Sequence, residues 1–143
     1  MAISNAVANS FKQELLVGTH NFTASSGNTF KLALYTSSAT LGASTTAFTT
    51  SQEDSGTNYT SGGNALTSVT PVLASSTAVC DFADLTFGTA TLSGVRGALI
   101  YNSSASNKAV CSLDFGADKS STAGNFTIVF PSPTATGAII RLA

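Results

Sequence analysis

The spacing of hydrophobic residues changes at Gly18. Before it, Val7, Phe11 and Leu15 recur at four-residue steps with Ala8 beside them, while Asn9, Lys12 and Gln13 fall opposite. That stripe predicts an amphipathic helix over about 5–17, with Ser4 as its N-cap and Gly18 as a left-handed stop. After Gly18 the period drops to two. "TFKLALY" sets Phe30, Leu32 and Leu34 against Lys31, Ala33 and Tyr35, which predicts a half-buried strand. Residues 36–63 are mostly Ser, Thr, Gly and Ala. A connection of that length is functional or hides a short strand, and "TAFTT" at 46–50 is the candidate.

Strand patterns then follow at short intervals. "ALTSVTPVL" runs from Ala65 to Leu73, with Pro71 pushing it towards a sheet edge or a break. In "TAVCDFADLTF", Ala78, Cys80 and Phe82 share one parity, and Leu85 and Phe87 take the other. A bulge or bend near Asp84 would reconcile them. "VRGALIYN", from Val95, is apolar on both parities and predicts a central strand covered on both faces. "KAVCSLDF" alternates Cys111, Leu113 and Phe115 inward against Ser112 and Asp114 outward. "NFTIVF" alternates with Phe126, Ile128 and Phe130 inward, and "TGAIIRLA" supplies one more strand. The fold class expected is therefore mainly β: an antiparallel β-sandwich or jelly-roll-like single domain over 1–143, with one N-terminal helix and strands from about 29 onward.

Composition narrows the partners. Net charge is −1, and 9% of residues are charged, against roughly 25% in an ordinary soluble protein. Six scattered Lys and Arg make no basic stripe, so no nucleic-acid partner is expected. About 29% of residues are Ser or Thr, which makes the exterior polar without charge and suited to packing against neighbours. The longest apolar runs, such as "ALIY", fall far short of the ~20 residues of a membrane helix, so no membrane partner is expected. No basic residue precedes Lys12, which leaves no secretory n-region and predicts a cytoplasmic folding site. There Cys80 and Cys111 read as reduced, buried small hydrophobes. The four Asn-X-Ser/Thr matches, at Asn21, Asn58, Asn102 and Asn125, read as chance in so hydroxyl-rich a chain.

Candidate chemistry is thin. The one histidine, His20, follows the helix stop and reads as a polar helix terminator rather than a base; no G-x-S-x-G elbow accompanies it. Asp81, Asp84, Asp114 and Asp118 read as turn and strand-end aspartates rather than a metal set. The "DFG" at Asp114 lacks every other kinase element. Glu14, Glu53 and Asp54 have no aromatic platform for glycoside chemistry, and the chain has no Trp. No enzyme activity, cofactor or metal is expected. Arg96, in a strand read as buried on both faces, calls for a carboxylate partner, with Asp81 or Asp84 the candidates.

The ordered blocks "MAISNAVANSFKQELL", "FKLALYTSSATLGASTTAFTT", "SGTNYTSGGNALT", "RGALIYNSS", "LDFGADKSSTAGNFTIVFP" and "AIIRLA" resemble a family of small virion proteins of tailed bacteriophages. The resemblance runs over nearly the whole chain. It implies a structural component of the virion, assembled in the host cytoplasm. The form expected is a capsid cement, or decoration, protein that binds the major capsid protein and copies of itself as a dimer or trimer. A tail or head–tail component is the alternative, and a host-surface carbohydrate-binding module the second. On that reading "SQEDSGTNYTSGGNAL" is a docking loop, with Tyr59 as an amphipathic anchor and Glu53 and Asp54 facing basic groups. Phe11 and Leu15 of the helix are the second contact candidate.

Overall fold

The structure, a computed structural model, describes residues 2–143; Met1, the first residue of the expected domain, lies outside the described residues. Eight strands form two antiparallel sheets. The larger contains β1 (Ala6–Val7), β2 (Phe30–Thr36), β3 (Asn64–Ala65), β6 (Leu85–Asn102) and β7 (Lys108–Ile128), in the order β1-β7-β6-β2-β3. The smaller contains β4 (Ser68–Ala74), β5 (Thr77–Phe82) and β8 (Ile140–Leu142), in the order β4-β5-β8. One short helix, α1, spans Asn9–Leu16. The fold class read from the sequence holds: a mainly β, two-sheet domain with one N-terminal helix.

Rings join the layers. Phe30 on β2 stacks on Phe22 at 4.2 Å between centroids and meets Phe82 on β5 at 6.0 Å, and Phe82 meets Phe130 at 5.5 Å. All four are buried, so the column lies where the small sheet covers the large one. Leu32, Leu34, Leu99 and Ile100 extend the same apolar core along the central strands.

Two of the predicted strands turn out to contain changes of sheet. "ALTSVTPVL" divides into β3 in the large sheet and β4 in the small one, and "TAVCDFADLTF" divides into β5 and β6 at Ala83–Asp84. The Asp84 carboxylate fixes the second crossover by accepting the Phe130 N–H at 2.9 Å. Pro71 sits on an edge strand, at a register irregularity between Val69 and Val72, as its missing donor requires. "TAFTT" makes only an isolated bridge, Ala47 to Lys108.

The helix starts later than its spacing predicts. Residues 3–8 are extended: Ile3 bridges Leu41, and Ala6 and Val7 pair with Ser112 and Cys111 on the edge of β7. Val7 therefore matched the helical stripe by coincidence, and Ala8, not Ser4, holds the N-cap position. The stop is as read. Gly18 has φ +75°, its N–H donates to Leu15 O, and Thr19 N–H donates to Glu14 O, which is a Schellman closure. The extended arm also buries Ser112, whose hydroxyl donates to Ser4 O at 2.7 Å, although alternation had placed it outward. Leu113 and Phe115, read as inward, are half-buried.

β2 is covered on both faces rather than one. Its residues Leu32 to Tyr35 are all fully buried, because the 36–63 segment folds over the second face. Tyr35 donates to Thr49 O at 2.6 Å, Phe48 stacks on Tyr101 at 4.7 Å, and Tyr59 packs on Phe87 at 5.6 Å.

Cys111 is buried and Cys80 half-buried, and both are free. Burial pushes the Cys80 thiol up to about 11, and burial together with the nearby Cys80 pushes Cys111 up to about 12. At pH 8 about one Cys80 thiol in a thousand is then thiolate. Iodoacetamide at that pH should label neither cysteine appreciably in the native protein and both after denaturation; rapid native labelling of Cys111 contradicts its placement.

Candidate docking surface

The loop that looked most like a contact is satisfied from within. The Glu53 carboxylate accepts from Tyr59 Oη at 2.7 Å and Gly62 N–H at 2.6 Å on Oε1, and from Ser61 Oγ at 2.7 Å on Oε2. Tyr59 Oη in turn accepts the Leu34 N–H at 2.8 Å. Burial first, then the Glu53 carboxylate, drives the Tyr59 hydroxyl far above its ordinary range, and the Leu34 N–H opposes this only in part. Asp54 is 7% exposed; its Oδ1 caps Gly56 N–H at 2.8 Å and its Oδ2 has no hydrogen-bond partner. Glu53, Asp54 and Tyr59 therefore clamp the loop onto β2 and do not point their polar groups at a partner. Sequence spacing could not show this, because two of the donors that complete the cluster, Gly62 N–H and Leu34 N–H, are main chain.

Phe11 is 1% exposed and packs on His20 and Phe22, so it belongs to the core rather than to a contact. Leu15 is half-buried and does face a recess. A cleft of about 540 Å³ runs between α1 and the small sheet, with Leu15, Gly18 and Phe22 on one side and Pro71, Val79 and Leu142 on the other. Exposed apolar residues adjoin its lining along the chain. Leu16 and Val17, 89% and 66% exposed, stand between the lining residues Leu15 and Gly18. Val72 and Leu73 follow Pro71 at 57% and 73% exposed, and Leu142 is 58% exposed. The outer strands of this sheet, β4 and β8, each pair with β5 alone. These exposed residues escaped the sequence reading, although "LLV" before Gly18 carried a signal. Three successive apolar residues on one helical turn cannot all face inward.

A buried polar cluster lies behind the cleft. His20 Nε2 is 3.2 Å from Glu14 Oε1, and His20 Nδ1 is 3.0 Å from Asn102 Nδ2. Glu14 Oε2 pairs with Lys108 Nζ at 2.8 Å. Burial pushes the Glu14 carboxyl up, but Lys108 and His20 outweigh it and hold the group below its ordinary range. Both imidazole nitrogens are engaged inside the protein, so neither is presented to a substrate.

Arg96 has a different partner from the Asp81 or Asp84 expected. Its Nε donates to Asp114 Oδ1 at 2.9 Å, and its Nη1 lies 3.7 Å from Asp118 Oδ1. The reason is a bulge. Val95 and Gly97 are paired on both flanking ladders and Arg96 is not, which turns its side chain to solvent beside Asp114, the cross-strand partner of Gly97. A hydrogen bond from Gly116 N–H, then Arg96, lowers the Asp114 carboxyl. Asp81 and Asp84 sit on β5 and at the sheet crossover instead.

The fold and cleft define a class only: a two-sheet β protein with a recess between its helix and its small sheet. No family model, curated protein or solved structure matches the chain.

Proposed function

We propose that this chain is a virion structural protein of a tailed bacteriophage, a cement protein that docks on the major capsid shell through the cleft between α1 and the small sheet. The observation that carries the docking reading is the cleft itself, with Leu142 exposed in its lining and the exposed Leu16, Val17, Val72 and Leu73 on the chain segments that border it. Exposed apolar groups clustered at a concave site mark interaction surfaces. The rest of the exterior is hydroxyl-rich and nearly uncharged, which suits close packing of many copies without mutual repulsion. The virion assignment itself rests on the resemblance of the sequence blocks. A carbohydrate-binding module draws no support, since every Tyr and Phe ring is at least partly buried and stacking on sugars needs an open aromatic face.

Replacing Leu16 and Leu73 by Asp places two charges beside the cleft at positions that contribute little to the core. On capsids lacking the protein, the double variant should bind about 30-fold or more weaker in co-sedimentation, the loss of one anchor's worth of contact, with its thermal unfolding unchanged. Undiminished binding overturns the cleft as the contact. Failure of the unaltered protein to bind capsids, with its recovery in a few copies from tails, overturns cement in favour of a tail component.

A further inference from the structure

We infer that the buried His20 cluster is an acid-operated latch that holds α1 and the 18–22 segment against the ends of β2 and β6. The hydrogen-bond directions are fixed outward from the main chain. Ser104 N–H donates to Asn102 Oδ1 at 3.0 Å, which turns the Asn102 amide nitrogen towards His20 Nδ1 at 3.0 Å and Asn28 Oδ1 at 3.0 Å. Nδ1 must then accept, so the ring proton sits on Nε2 and is donated to Glu14 Oε1 at 3.2 Å. The His20 side chain has no solvent exposure, and Phe11 and Phe30 lie at 4.8 and 6.3 Å between ring centroids.

A second proton can go only to Nδ1, where it meets the N–H of Asn102. Two donors cannot share that contact. Rotating the Asn102 amide would offer an oxygen to His20, but it would turn the amide nitrogen onto Ser104 N–H and give up Asn28. Every way of relieving the conflict therefore breaks the cluster on its Asn102 side. On the other side the imidazolium gains from Glu14, which stays with it on α1. The charged groups of the cluster are Glu14 from α1 and Lys108 from β7, paired at 2.8 Å; β6 and the 19–29 segment contribute the neutral Asn102 and Asn28. Protonation thus frees His20 and the 18–22 segment from Asn102 of β6 and loosens the C-terminal end of α1, whose Glu14 stays paired with Lys108 of β7, and it moves the cleft wall that His20 lines. Opening is a property of the fold and does not depend on what the cleft docks.

Glu14 loses its contribution at a lower pH. Its carboxyl is held low by Lys108 and His20, so its contribution is complete above its unfolded value of 4.5 and is lost only as pH falls below that. Loss of protection between about pH 7.5 and pH 5 is therefore not Glu14's. The chain has one histidine, so its ring signals are unambiguous. Amide hydrogen exchange of α1, corrected for the intrinsic pH dependence, should lose protection about tenfold across that range, with the midpoint of the His20 ring titration. His20→Gln, which keeps a donor and an acceptor and cannot titrate, should abolish the dependence. Asn102→Asp, which offers the imidazolium an acceptor, should keep α1 protected at pH 5 and serves if the first variant does not fold. Ring protonation without loss of α1 protection overturns the latch. An equal loss in either folded variant overturns it too.

Discussion

Phe30→Ala should lower the unfolding free energy by about 3–5 kcal/mol, the range for removing a fully buried ring. The position justifies the upper part of that range. Phe30 has no exposure, stacks on Phe22 and touches Phe82, so its loss opens the column between the two sheets rather than one side of one sheet. Urea titration read by circular dichroism measures it, and a loss under about 1 kcal/mol would show that the layers do not pack through these rings. Leu99→Ala, equally buried but within the large sheet, gives the comparison for a cavity that leaves the column intact.

Gly63→Ala should destabilise by more than about 3 kcal/mol, from two causes acting together. Gly63 adopts φ +70°, which L side chains rarely take, and a Cβ there would fall onto the Leu32 carbonyl of β2. Backbone cannot step aside as a long side chain can. Gly94→Ala separates the causes: its φ is +74°, and no atom lies within 4 Å of the added Cβ. That control should cost about 1 kcal/mol. Equal losses at the two positions would mean that the loop does not press on β2 at Gly63. The loss at Gly63 should also free Glu53, whose carboxylate is held through the neighbouring Gly62 N–H.

The sequence made the class of fold legible and left its routing obscure. Alternation placed Phe30, Leu32, Phe126 and Ile128 inward, because one buried face imposes period two whatever lies on the far side. The same alternation could not say which sheet a strand joins. The parity change after Phe82 marked the right place but looked like a bend within one strand. Arg96 was assigned the wrong acids because a bulge, which turns one side chain outward, leaves no trace in hydrophobic spacing. Segment 36–63 has no period, so nothing announced that it seals the second face of β2. Of the contact candidates, Leu15 and Phe11 both line the cleft, Phe11 as part of the buried core; Glu53 and Tyr59 hold each other. The exposed apolar residues of β4 were hidden for a simpler reason: an exposed Leu73 and a buried one look alike in a pattern that assumes one covered face.

The chain passes between layers after Ala65, after Phe82 and again between Ile128 and Ile140. Each passage ties one layer to the other covalently, like thread through two sheets of cloth. A pull on the last strand passes along the chain to the long hairpin of β6 and β7. The two layers therefore stay joined by three stretches of chain even where their packing opens.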